Sequence, residues 1–244
     1  MPGQPRHVHP TAPLAPRALL PGDPGRALLL AQELTEGARM FNHNRGLWGY
    51  TGTAGDGEPL TIMSHGMGGP SAAIVLEELC DLGVELVVRV GTCGALVDGL
   101  ALGDLVAVTA AIPADGTSSA LGAREPLIPD ARLTERLSAS ADHAGAVAST
   151  DLFYDPDPAR PESWRAAGAL AVEMEAATIL AVAARRGVRA GCLLAVSDAH
   201  PTPRAFGASP PRATSGAART GRRHARVSHL WRCWWAVPSC SSWR

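Results

Sequence analysis

Hydrophobic and polar positions along this chain alternate between two rhythms, short apolar runs of strand length and longer stretches with helical spacing. Residues 18–20 form a short apolar run that stops at the turn signal Pro21-Gly22-Asp23-Pro24. Residues 25–36 set Leu28, Leu29, Ala31 and Leu34 near helical spacing and predict a helix. Residues 47–53 and 60–65 predict two strands joined by the glycine-rich turn Ala54-Gly55-Asp56-Gly57. A helix is predicted over 70–82, with Pro70 at its start and Gly83 just past its end. Residues 85–90 (ELVVRV) are almost continuously apolar, the pattern of a strand buried on both faces, and residues 105–112 repeat it. A polar helix over 131–143, a strand over 146–149, a long helix over 173–186 and a strand over 190–196 complete the series. Strands interleaved with helices imply an α/β fold around a central, largely buried mixed sheet.

Length and composition narrow this picture. At 244 residues the chain suits one sizeable domain. With 46% hydrophobic and 18% charged residues it reads as globular rather than disordered. The net charge of −1 conceals an asymmetry, because residues 201–244 hold eight arginines and no acid. The first 200 residues carry 14 arginines against 23 acids, and no lysine occurs anywhere. No run approaches the ~18 apolar residues of a membrane span, and the first twenty residues lack the continuous apolar stretch of a secretory signal. The five cysteines are scattered without a C-x-x-C pair, so neither a disulfide framework nor a zinc site is expected, and a cytoplasmic location is.

Several segments carry candidate chemistry. Gly22 lies at a strand-to-helix turn with Arg26 four residues on, either a rigid turn with a surface arginine or an anion site built from backbone N–H groups and a guanidinium. Arg89 sits inside a buried apolar strand, which demands a buried carboxylate or an anionic ligand. Thr92 follows at that strand's C-terminal end, where ligands bind in α/β sheets. Cys93 invites a nucleophile reading, but no base is identifiable nearby and a small buried residue is the simpler account. The loop Gly66-Met67-Gly68-Gly69 lacks a full dinucleotide fingerprint. Glu173 and Glu175 open an apolar helix, where they either complement the helix dipole or accept hydrogen bonds from sugar hydroxyls. Asp198 ends an apolar strand, and partial desolvation there would suit it to donate a proton. Phe153 and Tyr154 are adjacent aromatics in a chain with few, placed either in the core or against a flat base.

Taken together, LLPGDPGRA (19–27), NRGLWGYTG (44–52), HGMGGPSAAIVLEEL (65–79), RVGTCGAL (89–96), STDLFY (149–154), VEMEAA (172–177) and VSD (196–198) resemble the bacterial purine nucleoside phosphorylases. Order and spacing match from about residue 7 to residue 200. The resemblance implies a three-layer α/β/α fold and phosphate-dependent cleavage of purine nucleosides to free base and pentose 1-phosphate. It implies phosphate contacts from Gly22, Arg26, Arg89 and Thr92, with Arg45 reaching in from a neighbouring subunit. Met174 and Glu175 would hold the ribose, with Val172, Glu173 and Ser197 beside them, and a neighbour's His7 would meet the 5′-hydroxyl. Phe153 would stack on the base, and Asp198 would protonate purine N7. The implied assembly is a homo-oligomer, a trimer of dimers with shared active sites. Inorganic phosphate is the co-substrate, and no metal or organic cofactor is expected.

The chemistry is coherent. Glycosidic cleavage leaves positive charge on the sugar, which a fixed phosphate stabilises and captures, and negative charge on the base, which an acid neutralises. A uridine phosphorylase would hold its pyrimidine with amide and arginine side chains that STDLFYDP lacks, and a nucleosidase would leave Arg26, Arg45 and Arg89 without a phosphate. A catalytically dead homologue is the rival from another class. The resemblance stops near residue 200. Residues 201–244 are rich in Arg, Pro, Ser and Trp, the composition of GC-rich DNA read out of frame, which points to a frameshift near residue 199. The alternative is a divergent tail in which Val227, Leu230, Trp231 and Trp234 make residues 222–237 a basic amphipathic helix for a membrane surface or nucleic acid. The first reading is preferred, with no nucleic-acid or membrane partner.

Overall fold

The apolar runs become the strands of one mixed sheet, and the helices cover both of its faces. The computed structural model describes residues 5–198. In chain order these form β1 (Arg17–Leu20), α1 (Pro24–Leu34), β2 (Thr35–Asn42), β3 (Gly49–Ala54), β4 (Pro59–Met63), α2 (Gly69–Asp81), β5 (Leu86–Ala95) and β6 (Leu105–Ala114). There follow α3 (Gly116–Ala120), α4 (Ala131–Ser138), β7 (His143–Thr150), α5 (Arg160–Ala166), β8 (Ala169–Glu173), α6 (Ala176–Arg186) and β9 (Arg189–Asp198). The tail at 201–244, with its expected helix at 222–237, lies outside the described residues.

The strand order is β2-β3-β4-β1-β5-β8-β7-β6-β9, and β9 also pairs with β5. That extra pairing closes β5, β8, β7, β6 and β9 into a ring, while β1, β4, β3 and β2 extend from it as an open sheet. Alternation along β5 shows how one strand serves two layers. Val87, Cys93 and Ala95 face the core built with α2 and α6, whereas Leu86 and Val88 face the core built with α1 and α4. Strands β4, β1, β5 and β9 run parallel, so their C-terminal ends gather along one edge.

Several boundaries differ from the sequence expectation, each for a physical reason. The first helix ends at Leu34, and Thr35–Asn42 is an edge strand whose residues 36–40 are exposed, so no buried face gave it a pattern. The helix expected over 131–143 ends at Ser138, and β7 starts at His143. β5 does not stop at Val90 but continues to Ala95, which places Thr92 and Cys93 within the strand rather than in a loop beyond it. Glu173 does not open a helix. It is the last residue of β8, and α6 begins at Ala176.

Candidate active site

Where the parallel strands end, a buried polar cluster forms around Arg89 of β5. The guanidinium is 3% exposed, so its charge survives only with partners. Its Nε donates to Glu173 Oε2 at 2.9 Å, and Nη2 lies 2.8 Å from the same oxygen and 2.6 Å from Glu175 Oε2. Nη1 donates to Nε2 of His65, at 3.0 Å. Burial opposes the charge, yet the two carboxylates outweigh it and hold Arg89 above the ordinary arginine value. Of the two partners left open for this arginine by the sequence, the structure supplies the carboxylates.

Gly91 makes this arrangement possible. It lies on the same face of β5 as Arg89, and a Cβ there would sit 2.7 Å from Nη2 and 2.8 Å from the guanidinium carbon. The arginine folds over the space that glycine leaves empty.

Glu173 is the structural member of the pair. Besides Arg89, its carboxylate accepts from the backbone of Glu175 at 2.8 Å and of Ala176 at 2.9 and 3.0 Å, and from Ser149 Oγ. Ser149 in turn accepts from Ala177 N at 2.8 Å. These bonds satisfy the first N–H groups of α6, so Glu173 serves as a cap supplied from the preceding strand. With both oxygens engaged and 4% exposure, it holds Arg89 and the start of α6 in place.

Glu175 has a different environment. Oε1 accepts from Gly68 N at 2.6 Å, while Oε2 faces Arg89. Burial is the largest influence on it and pushes its carboxyl above the usual range, with Arg89 opposing and Glu173 adding to the rise. Gly68 adopts φ 83°, a left-handed conformation that glycine permits and that aims its N–H at Glu175. Met67, one residue earlier in the same loop, is exposed.

Arg26 and Gly22 adjoin this cluster. Asp23 caps α1 by accepting from Arg26 N at 2.7 Å, and Pro24 starts the helix. A Cβ on Gly22 would lie 3.9 Å from Arg26 Nη2, 3.6 Å from the His65 ring and 3.0 Å from the Gly66 carbonyl. Burial lowers Arg26 from its usual value; Asp23 and Glu175 oppose the fall and Arg89 adds to it. His65 is buried, and desolvation with the charges of Arg89 and Arg26 holds it well below the usual histidine range. It is therefore a neutral acceptor for Arg89. Thr92 is exposed on β5, one residue past Gly91.

The remaining candidates lie around the same edge. A Cβ on Gly94 would lie 3.6 Å from Val172 and 4.0 Å from the Asp198 Cβ, so the ends of β5, β8 and β9 bring these residues together. Met174, between Glu173 and Glu175, is half-buried. Ser197 Oγ donates to the Cys93 carbonyl at 3.3 Å. Asp198, the last residue of β9, is exposed. Phe153 and Tyr154 are about three-quarters exposed and pack edge to face at 4.9 Å, which removes the core-packing alternative. Cys93 is buried and its thiol pushed up to about 12 by burial, which favours the small buried residue over the nucleophile.

His7 and Arg45 are tied to each other. Asn44 donates to the His7 carbonyl at 2.9 Å, and Arg45 follows it in a short 3-10 turn, Asn44–Gly46. Arg45, at φ 58°, is the one non-glycine residue with positive φ among the described residues. Sequence reasoning missed His65 and Ser149. Ser149 stands near the C-terminal end of β7 and His65 two residues past that of β4, the kind of position that singled out Asp198.

The comparisons agree with this geometry. Residues 16–223 match the family model described as the phosphorylase superfamily, a span that continues past residue 200. The chain is 42% identical over 186 residues to a guanosine phosphorylase of Halorubrum lacusprofundi, covering 73% of this chain and 76% of that protein. It is 38% identical over 190 residues to a DeoD-type purine nucleoside phosphorylase of Proteus mirabilis, covering 74% and 79%. A DeoD-type enzyme of Geobacillus kaustophilus is 36% identical over 197 residues, covering 77% and 83%. On matched span, similarity and fold alike, this chain is a member of the phosphorylase superfamily.

Proposed function

We propose that the protein is a purine nucleoside phosphorylase, cleaving purine ribo- and deoxyribonucleosides with phosphate to release the base and pentose 1-phosphate. The carrying observation is that Arg89 and Glu175 share one buried ion pair with Arg26 and Gly22 beside it. Sugar transfer to phosphate requires an anion site and a hydroxyl site within a few ångströms of each other. Arg89 and Arg26 suit the first, with Gly22 and Thr92 at its edge, and Glu175 suits the second, with Met174 beside it. The names of the similar relatives support the same reaction and the purine class.

Phosphate fixed by the two guanidinium groups stabilises the cationic sugar and then bonds to its anomeric carbon. Asp198 gives a proton to N7 of the departing purine, and Phe153 stacks on its ring. Holding both reactants in line supplies roughly 7–11 kcal/mol of the barrier, and general acid catalysis about 10²–10⁴-fold. Arg45 and His7 complete the site of a neighbouring copy, so the working form is a homo-oligomer, a trimer of dimers. Phosphate is the co-substrate, with no metal or organic cofactor and a cytoplasmic location. Among the described residues no helix is long and apolar enough to cross a membrane. Every step is assigned within residues 1–200, and none to 201–244.

The test is base release from inosine, guanosine and adenosine by purified protein, with and without phosphate, beside Asp198→Ala. Phosphate-dependent release that falls sharply in the variant is the expected result. Release without phosphate identifies a nucleosidase instead, and no release from folded protein identifies a decayed homologue.

A further inference from the structure

The segment that carries His7 is held by one carboxylate. Glu78, on α2, accepts from the backbone of Arg6 at 3.1 Å, of His7 at 2.9 Å and of Val8 at 2.7 Å. The same carboxylate meets Nδ1 of the His7 ring at 2.7 Å. Val8 is fully buried in the core, His9 N donates to Asn42 Oδ1 at 2.8 Å, and Asn44 holds the His7 carbonyl. The backbone on either side of His7 is thus fixed, and the ring keeps one third of its surface exposed. Burial works against the Glu78 charge, but the three backbone donors and the His7 ring hold its carboxyl below the usual range.

A backbone anchor alone needs no contact with the ring. A carboxylate on Nδ1 does something more specific, because an ionised carboxylate only accepts hydrogen bonds. The proton of a neutral His7 therefore stands on Nδ1, and Nε2 is left as a bare acceptor. Among the described residues Nε2 makes no hydrogen bond.

We propose that Glu78 is a positioning residue for His7, fixing the imidazole's place and its Nδ1–H tautomer so that Nε2 accepts from the 5′-hydroxyl of a nucleoside bound at a neighbouring copy. This rests on the phosphorylase reading and on its placement of His7. The arrangement favours nucleosides whose 5′ group donates a hydrogen bond and gives nothing to a 5′-deoxynucleoside. Glu78 touches no substrate and acts only through the ring.

The test compares Glu78→Gln, His7→Ala and the wild type on inosine and 5′-deoxyinosine at saturating phosphate. A glutamine amide turned toward Nδ1 donates to it and moves the ring proton to Nε2, which removes the acceptor. Glu78→Gln is expected to lower kcat/KM for inosine about tenfold, the scale of one well-made hydrogen bond, and to change that for 5′-deoxyinosine less than about twofold. His7→Ala is expected to show the same split. Equal losses on both substrates in Glu78→Gln overturn the proposal, since they mark a purely structural anchor. A split in Glu78→Gln without one in His7→Ala overturns it as well. Phosphorolysis by the wild type with no split in either variant refutes the role of His7 while leaving the phosphorylase reading intact, and absence of phosphorolysis refutes that reading itself. Should Glu78→Gln fail to fold, nitrogen-15 NMR of histidine-labelled wild type at pH 8 decides, with the His7 signal identified by its loss in His7→Ala. An Nδ1–H tautomer supports the proposal and an Nε2–H tautomer overturns it.

Discussion

Replacing Arg89 by methionine tests the buried cluster most directly. The substitution retains an unbranched chain of similar length and removes a charge that engages Glu173, Glu175 and His65. Glu173 and Glu175 are 4% and 6% exposed, so the variant leaves two carboxylates in the interior without their counter-charge. Breaking a buried pair from one side costs roughly 3–5 kcal/mol, and with two carboxylates orphaned the upper part of that range is expected. The loss depends on pH in a definite sense. Glu175 already binds its proton more tightly folded than unfolded, and removing Arg89 strengthens that bias. A raised carboxyl imposes no penalty below the unfolded value near 4.3 and an increasing one as pH rises past it, at about 1.4 kcal/mol per proton per pH unit. The variant should therefore lie closer to the wild type at pH 5 than at pH 8. Urea unfolding followed by circular dichroism at both pH values measures this, and Arg89→Met/Glu175→Gln should recover part of the loss at pH 8. A destabilisation below about 1 kcal/mol, or one equal at both pH values, would refute the assignment of Arg89 as the counter-ion of this cluster.

Other expectations follow from neighbouring contacts. Gly91→Ala should raise the KM for phosphate at least tenfold, because its Cβ displaces the Arg89 guanidinium; overpacking of this kind costs about 1–3 kcal/mol, and an unchanged KM would show that Arg89 does not meet phosphate. Phosphate drawn to Arg89 frees Glu175 for the ribose, so calorimetric titration with a non-cleavable nucleoside analogue should show about five- to tenfold tighter binding in phosphate, and phosphate should tighten by the same factor in the presence of the analogue. Cys93 and Cys192 are buried and burial raises both thiols, so peptide mapping after iodoacetamide at pH 8 should find them unmodified in native protein and modified after unfolding. Cys93→Ala should keep most of the activity.

The elements legible in the sequence were those whose burial leaves a pattern. β5, β6 and β9 were visible as apolar runs, and α2 was visible through Pro70, Gly83 and helical spacing. β2 was hidden because it pairs only with β3 and exposes most of its side chains. β8 was missed, with only its last residue, Glu173, taken into the helix expected over 173–186, because five residues running into an apolar helix leave too short a pattern to separate strand from helix. α5 buries only Trp164 and offered too little pattern. In the site, Arg89 announced itself as a charge within an apolar strand. The division of labour between Glu173 and Glu175 did not, since two residues of spacing say nothing about which carboxylate caps a helix and which stays available. His65 was overlooked because a neutral histidine at a strand end matches an ordinary core residue until its neighbours are known.

The closure of β5 against β9 also constrains how the chain acquires this shape during synthesis. β5 is bordered by β1, β8 and β9, and its pairing with β9 runs from Leu86↔Arg189 to Gly94↔Asp198. A ribosome finishes β5 about a hundred codons before it supplies that partner, at the usual 5–20 residues per second. For those seconds a largely buried strand of the nascent protein offers a free hydrogen-bonding edge, a template for joining other unfinished chains. Translation that terminates early, or a message truncated before codon 198, would release a polypeptide unable to close its ring. Such fragments should be found with chaperones or in insoluble aggregates rather than as partly active protein.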